Sequence, residues 1–148
     1  MIVDTPRLSE FRGAVTMVDG GFDPIHDGHV RYFAAAAVLG LPVLCNVSPD
    51  RWVESKHVPL LPQDCRVIVI DAFRDIDYVH LSTGTTVEVL DLLRPRYYAK
   101  GSDWKGRLPE AEQRACREGG VEVVYLDTLA NSSSRLLARY LERQHTPI

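Results

Sequence analysis

The stretch that decides the fold is Gly-Gly-Phe-Asp-Pro-Ile-His-Asp-Gly-His, residues 20–29, which follows directly on the apolar run 14–18. An apolar run, a glycine pair and an amphipathic segment predict a strand, a turn and a helix that begins near Gly28. Glycine has no Cβ, so the turn backbone can approach an anion closely. The helix start adds free N–H groups and the positive end of its dipole.

His26 and His29 lie three residues apart in this stretch. They can therefore point to one side of the first helical turn and donate hydrogen bonds to the same phosphate. The alternative is an ordinary strand–helix turn with two surface histidines. The glycine pair together with both histidines favours a polyphosphate site.

Apolar runs and amphipathic segments alternate along the rest of the chain. The predicted strands are residues 14–18, 41–47, 76–81, 97–99 and 121–126, and the predicted helices cover about 28–38, 62–74, 85–94, 108–118 and 133–143. Such alternation predicts an α/β fold, a Rossmann-like, doubly wound, parallel five-stranded sheet with helices on both faces. Residues 1–148 are expected to form a single domain, with residues 1–13 as an extension outside the core that frays or packs against a partner subunit.

The predicted helices have expected buried faces. The first is expected to bury Val30, Phe33, Ala34, Ala37 and Val38, the second Cys65, Ile68, Val69, Ala72 and Phe73, and the last Leu136, Leu137, Tyr140 and Leu141. These sets recur at the spacing of one helix face.

Composition excludes several classes of function. The formal net charge is −3 and the acidic and basic residues are mixed, so neither nucleic acid nor a membrane is an expected partner. The three cysteines are widely spaced and form no Cys-x-x-Cys pair, which argues against a disulfide framework or a zinc site and favours the reducing cytoplasm. No apolar stretch approaches the length of a membrane helix.

Polar loops follow the predicted strands at 48–56, 100–106 and 127–134. In parallel α/β sheets the ligand lies beyond the carboxyl ends of the strands, so these loops are expected to converge on the residue 20–29 turn. Gly101 permits close backbone approach, Asp103 can accept hydrogen bonds from hydroxyls, and Trp104 either stacks on a ligand or packs. The serines at 132–134 are helix caps or, with the free N–H groups there, an anion site.

The decapeptide resembles the Gly-x-Phe-Asp-x-x-His-x-Gly-His signature of the cytidylyltransferase-like nucleotidyltransferases, of HIGH type, and the resemblance extends over about residues 14–143. That family includes glycerol-3-phosphate cytidylyltransferase and the adenylyltransferase domain of ADP-heptose synthase. The resemblance implies that His26 and His29 act on the α-phosphate and Lys56 on the β- and γ-phosphates. The implied nucleotide-binding residues are Gly20, Gly21, Phe22, Asp23, Gly28, Lys100, Gly101, Asp103, Ser132, Ser133 and Ser134.

The resemblance also implies substrate-binding roles for Asp50, Arg74 and Trp104. Arg74 can bind an acceptor phosphate or can instead complement a helix dipole. Asp77 is expected to be structural, and Arg66 is a weaker candidate for the site.

Two departures from the family pattern stand out. No second cation follows Lys56, where the chain continues with His57-Val58, and no arginine precedes the serine run. The missing arginine weakens the case for CTP. The loop 100–105 is similar to the Lys-Gly-Gly-Asp-Tyr-Lys of ADP-heptose synthases, although glycerol-3-phosphate cytidylyltransferases carry a similar Gly-Asp-Asp-Trp.

The implied reaction joins an NTP, with Mg²⁺, to a small phosphorylated sugar or polyol and releases pyrophosphate. ATP with a heptose-like sugar phosphate is favoured over CTP with a polyol phosphate. A non-catalytic nucleotide-binding module and other enzymes of the superfamily are the alternatives. A homodimer is expected, with an interface in the region around Trp52, where Val53 is also apolar, and with residues 1–12 as a further candidate part of it. Alternatively, Trp52 is a pocket wall in a monomer.

Overall fold

A five-stranded parallel sheet forms the centre of the computed structural model, which describes residues 1–128 and 133–145. The strands are β1 Thr16–Gly20, β2 Val43–Val47, β3 Tyr78–Leu81, β4 Tyr97–Gly101 and β5 Glu122–Leu126. Their order is β3-β2-β1-β4-β5, with every neighbouring pair parallel. The predicted fold class is confirmed, and the order reverses direction at β1, where a ligand crevice is expected.

Helices cover both faces of the sheet. They are α1 Asp27–Ala37, α2 Asp50–Val53, α3 Gln63–Asp71, α4 Thr86–Leu93, α5 Glu110–Gly119 and α6 Ser133–Gln144. One core cluster joins α4 and α5 to strand residues such as Met17 and Tyr98. The other joins α1 and α3 to residues such as Val18 and Ala99. Alternate strand residues thus feed opposite cores, as the two-residue side-chain period of a strand requires.

The amino-terminal segment belongs to the core, so the expectation that it lies outside is wrong. Thr5–Phe11 forms a 3₁₀ helix, and the side chains of Val3 and Leu8 are fully buried. The Val3 N–H donates to the Val79 carbonyl at 2.7 Å, which extends the edge of the sheet beyond β3. Burial of two large apolar side chains, worth about 2 kcal/mol each, explains why this segment docks.

Several predicted helix faces are wrong. In α1 the buried residues are Phe33 and Ala36, while Val30 and Val38 are exposed. In α3 the chain buries Arg66, Val67 and Ile70, and Cys65 and Ile68 face outward. In α6, Tyr140 and Leu141 are exposed, and the described residues of this helix include no fully buried side chain. No helix within residues 1–128 and 133–145 combines the length and apolarity needed to cross a membrane.

Candidate active site

A cavity of about 1110 Å³ opens at the carboxyl edge of the sheet. The loops after β1, β2, β3 and β4 and the start of α6 all contribute to its wall. The sequence-predicted residues among its lining are Gly20, Gly21, Phe22, Asp23, His26, Gly28, His29, Lys56, Lys100, Gly101, Asp103, Trp104, Ser133 and Ser134. The described parts of the loops that follow the strands therefore converge on one cavity, as the sequence predicts.

The two histidines at the start of α1 are held by the backbone. His26 is the N-cap residue, and its Nδ1 accepts the Gly28 N–H at 3.0 Å. His29 Nδ1 accepts the His26 N–H at 3.1 Å, and the two rings stack with centroids 3.8 Å apart. Because both Nδ1 atoms are acceptors, a neutral ring carries its proton on Nε2. The stacked pair therefore has two N–H donors, one on each Nε2.

Both histidines are held neutral. Burial lowers the pKa of His29 to about 3, and the neighbouring His26 lowers it further in the same direction. Burial also lowers the pKa of His26. The His26 Nε2 is buried without a hydrogen-bond partner among the described residues. An unpaired buried donor costs about 1–3 kcal/mol, so this atom is fitted to a ligand oxygen.

The glycine turn brings the backbone close to this pair. A Cβ on Gly21 would lie 3.0 Å from the Trp52 ring, and one on Gly20 would lie 3.1 Å from the Phe22 ring. Phe22 adopts a left-handed φ of 54°, and its ring packs edge-on against His29 at 5.0 Å. Gly21 therefore has to lack a side chain, because the Trp52 ring of α2 occupies the space that a Cβ would need.

Asp23 lines the cavity, but its carboxylate is engaged by the protein. It is 2% exposed, and its two oxygens accept the N–H groups of Leu60 and Leu61 at 2.7 and 3.0 Å. This carboxylate ties the loop after α2 to the glycine turn. It positions these two loops, and its expected role in nucleotide binding stays a prediction.

The Asp50 carboxylate is also engaged by the protein, because it pairs with a buried arginine. The Arg66 guanidinium is 1% exposed and donates to Asp50 Oδ1 at 2.8 Å. The same side chain donates to the carbonyls of Gly21 and Ser48 at 2.7 Å each and of Leu61 at 3.1 Å. Asp50 is not among the cavity-lining residues. Arg66 joins three loops of the site from beneath and does not line the cavity.

Arg74 lies outside the cavity. Its side chain is exposed just beyond the end of α3 and is absent from the cavity lining. Asp77 accepts the Val43 N–H at 2.9 Å, so its expected structural role is confirmed.

Lys56 stands at the cavity mouth, where its Nζ lies 4.2 Å from the centroid of the Trp52 ring. Such a cation–π contact holds the ammonium without neutralising it. His57 also lines the cavity, and its Nδ1 lies 2.9 Å from the Val58 carbonyl oxygen. Because a carbonyl oxygen only accepts hydrogen bonds, the histidine Nδ1 is the donor. Val53 is 2% exposed within this chain, so it does not form the expected contact surface.

A buried polar network closes the floor between β1 and β4. Lys100 Nζ donates to Asp19 Oδ1 at 2.8 Å and lies 4.2 Å from the Trp104 ring. The Tyr98 hydroxyl lies 2.7 Å from Asp19 Oδ2 and 2.9 Å from Glu112 Oε1. Burial raises the pKa of Glu112, whose carboxyl group lies within hydrogen-bond distance of the same hydroxyl as Asp19. Lys100 thereby offsets the Asp19 charge beside the expected phosphate position.

The loop after β4 and the start of α6 complete the wall. A Cβ on Gly101 would lie 2.6 Å from Asp103 Oδ1, so the glycine lets this carboxylate fold back over the strand end. Ser133 Oγ donates to the Pro24 carbonyl at 2.8 Å and joins α6 to the glycine turn. Ser134 lines the cavity, and Ser132 lies outside the described residues.

Several cavity residues were missed by the sequence analysis. They are Asp19, Tyr32, Asn46, Arg51, Glu112 and the run Ser82–Glu88. The Ser-Thr-Gly-Thr-Thr sequence at 82–86 follows β3 directly, so the carboxyl-end rule applied to three other loops would have found it.

The neutral histidines predict a pH-dependent stability. His29 has a pKa of about 3 when folded against about 6.5 when unfolded, so the unfolded chain binds more protons between these values. The free energy of unfolding should therefore fall as the pH falls, by about 3 kcal/mol at pH 4 from this group alone. Urea titrations from pH 7 to pH 4 measure the slope. His29→Gln should reduce this slope, whereas the exposed His145→Gln should leave it unchanged. Equal slopes in the wild type and in both variants would refute the lowered pKa of His29 in the folded protein.

Lys56 is predicted to act on the departing phosphates. Lys56→Ala should raise the KM for NTP about tenfold, because a charge-assisted contact of about 1.4 kcal/mol or more is lost. Lys56→Arg should restore only part of the effect, since a planar fork replaces a point charge. Steady-state kinetics measure both, with the exposed Lys105→Ala as the matched control. Unchanged NTP kinetics in Lys56→Ala would remove the lysine from the mechanism.

One family of known proteins matches most of the chain. The Cytidylyltransferase-like family matches residues 17–135, a span that begins in β1 and ends in α6. The chain therefore belongs to the cytidylyltransferase-like family of nucleotidyltransferases.

Curated relatives carry the name bifunctional protein HldE. The one from Streptomyces coelicolor is 36% identical over 142 residues, which is 92% of this chain and 30% of that protein. The one from Syntrophotalea carbinolica is 30% identical over 146 residues, which is 95% of this chain and 30% of that protein. The chain thus spans about 30% of the length of these relatives.

Solved structures share the fold. A lipopolysaccharide core biosynthesis protein from Thermoplasma volcanium superposes with a TM-score of 0.68 at 23% identity, covering 78% of this chain and 98% of that one. Pantothenate synthetase from Thermus thermophilus gives a TM-score of 0.61 at 17% identity, covering 92% of this chain and 66% of that one.

Proposed function

We propose that the protein transfers a nucleotidyl group from an NTP to the phosphate of a small phosphorylated sugar or polyol and releases pyrophosphate. The observation that carries the proposal is the pair of backbone-fixed neutral histidines, one with an unpaired buried Nε2, beside a glycine turn. Two preorganised N–H donors that cost no reorganisation are suited to an oxygen that gains charge in the transition state.

The chemistry is a single displacement. An oxygen of the acceptor phosphate attacks the α-phosphorus, the bond from the α-phosphorus to the α–β bridging oxygen breaks, and pyrophosphate leaves with the electron pair. His26 and His29 donate to the non-bridging α-phosphate oxygens, and Lys56 follows the leaving pyrophosphate from its place on Trp52. The displacement requires no covalent nucleophile from the protein.

Mg²⁺ is expected to enter with the nucleotide as part of the substrate. Within residues 1–128 and 133–145, no three His, Cys, Asp or Glu side chains are grouped to hold a metal ion. The cavity carboxylate of Asp19 is already engaged by Lys100 and Tyr98. Phosphate oxygens and water would therefore supply most of the ligands that Mg²⁺ takes.

ATP and a heptose-like sugar phosphate are the favoured substrates. The loop 100–105 is similar to that of ADP-heptose synthases, and curated relatives are HldE proteins. A glycerol-3-phosphate-type cytidylyltransferase is the second candidate, supported by the Gly101, Asp103 and Trp104 pattern. A non-catalytic nucleotide-binding module is disfavoured, since both histidines and Lys56 line the cavity.

The homodimer stays a prediction, and light scattering checks it against the monomer mass of 16.6 kDa. Trp52 lines the cavity and is 41% exposed, which supports the alternative that it is a pocket wall.

A pyrophosphate-release screen tests the proposed function. Four NTPs with Mg²⁺ are combined with sugar and polyol phosphates, and coupled detection reports pyrophosphate. Release that requires both an NTP and an acceptor supports the proposal, and ATP with a heptose phosphate should be the fastest pair. Tight NTP binding without release from any pair would favour the non-catalytic module.

A further inference from the structure

The outward faces of α1 and α3 are apolar, although both helices already bury their opposite faces against the sheet. The exposed apolar residues are Val30, Ala34 and Val38 along α1 and Leu61, Cys65, Ile68 and Ala72 along α3 and its ends. Val38 is 84% exposed and Ile68 is 65% exposed. On the other face of the sheet, α5 exposes Arg114, Arg117 and Glu118 instead. Helices that are apolar on both sides are typical of buried layers.

The two helices lie side by side, so their apolar stripes form one surface. Both helices feed the same core cluster, and the rings of Phe33 and Phe73 meet between them with centroids 5.3 Å apart. We call the seven exposed residues the α1–α3 patch. Contiguous exposed apolar patches, which rarely exceed about 300–600 Å² on a monomer, mark sites of protein–protein contact.

Charged residues border the patch on its two long sides. Asp64 lies on the α3 border, where it lines a groove at the sheet edge together with Leu81. Arg31 lies on the α1 border, because it is two residues and therefore about 200° round the helix from Phe33. Its guanidinium is exposed and donates to Asp27 at 2.7 Å. The patch thus has an acidic border on α3 and an arginine on α1.

Two-fold symmetry decides which helices would meet if two copies joined through this patch. An axis that runs between α1 and α3, parallel to them, places α1 of one copy on α3 of the other. Arg31 then faces the border that carries Asp64 of the partner subunit. An axis that runs across the helices places α3 on α3 and aligns the acidic borders, with Asp64 against Asp71. Opposite charges attract and like charges repel, so the charges favour the first arrangement.

We propose that the α1–α3 patch is the interface of a two-fold dimer in which α1 of each copy packs on α3 of the other. Burial of the apolar residues drives the association, and the contact between Arg31 and Asp64 sets its orientation. This interface is separate from the one expected around Trp52. Two short helices give an interface at the low end of the range for specific dimers, which bury about 1,200–2,000 Å² in total, so a dissociation constant in the micromolar range is expected.

A dilution series tests the dimer. Light scattering and sedimentation equilibrium between about 1 and 100 μM protein should give a mass that rises from 16.6 kDa toward twice that value. Ile68→Glu and Ala34→Glu should each raise the dissociation constant about 30-fold or more, because an unpaired carboxylate would be buried in the interface. Leu92→Glu is the matched control, since Leu92 is an exposed apolar residue of α4 on the other face of the sheet. Circular dichroism of each variant verifies that it is folded.

A charge exchange tests which helices meet. Arg31→Glu and Asp64→Lys should each raise the dissociation constant about fivefold to tenfold, and the double variant should regain most of the lost affinity. The effect of losing the Asp27 contact is the same in the single and the double variant, so it cancels in this cycle.

Three results would overturn the proposal. A monomer at about 100 μM would exclude a second copy as the occupant of the patch. A dimer that survives both Ile68→Glu and Ala34→Glu would place the interface elsewhere, for example around Trp52. A dimer that these two variants dissociate, but whose affinity the charge exchange fails to restore, would exclude the packing of α1 on α3.

Discussion

His29→Ala should lower kcat about 100-fold while changing the affinity for NTP much less. The His29 Nε2–H is one of two fixed donors in the site, because Nδ1 is held by the His26 N–H at 3.1 Å. Removal of one such donor costs about 2.7–4 kcal/mol of transition-state stabilisation, and 100-fold is the lower end of that range. Single-turnover kinetics and nucleotide titration measure the two quantities separately.

His29→Asn is the matched variant. Its amide oxygen can accept the His26 N–H and its amide nitrogen can donate to phosphate, so part of the activity should return. His145→Ala tests for a general effect of losing a histidine, because this residue is exposed near the end of α6. Wild-type turnover in His29→Ala would exclude the histidine from the reaction.

Arg66→Met should lower the free energy of unfolding by about 3–5 kcal/mol. The guanidinium is buried and bonds to Asp50 and to three backbone carbonyls. Its removal leaves a carboxylate and the carbonyls of Gly21 and Ser48 without their donor. The same loss releases the glycine turn from the loop after β2, so phosphate binding should weaken as well. Urea denaturation and pyrophosphate titration measure the two effects.

Arg74→Met is the control for this change. Arg74 lies close to the same helix but is exposed, so its replacement should change stability by less than about 0.5 kcal/mol. Equal stabilities for Arg66→Met and wild type would show that the buried bonds contribute nothing.

Local sequence patterns predicted the sheet and the histidine turn because both depend on neighbouring residues. The glycine pair, His26 and His29 lie within ten residues, and the strand–helix alternation dictates a parallel sheet. The predicted face of α3 failed because a polar residue of that helix is buried. Periodicity counts Arg66 as outward, whereas its four hydrogen bonds satisfy it inside and rotate α3 accordingly.

The roles of acidic residues could not be obtained from sequence for a similar reason. Asp23 and Asp50 lie in the site loops, yet their oxygens accept from backbone N–H groups and from Arg66. Those partners are 16 to 38 residues away, so only the folded chain shows that the carboxylates are already engaged. The β3 loop, by contrast, was missed although its position and its hydroxyls are legible in the sequence.

Phosphorus NMR of the complete reaction tests nucleotidyl transfer most directly. The protein is incubated with Mg²⁺, ATP and a heptose phosphate, and the spectrum is followed as ATP is consumed. The account predicts equal amounts of pyrophosphate and of a new unsymmetrical diphosphate diester, with both products forming about 100-fold more slowly in His29→Ala. Consumption of ATP to ADP, with a phosphorylated acceptor or free phosphate and no diester, would contradict it.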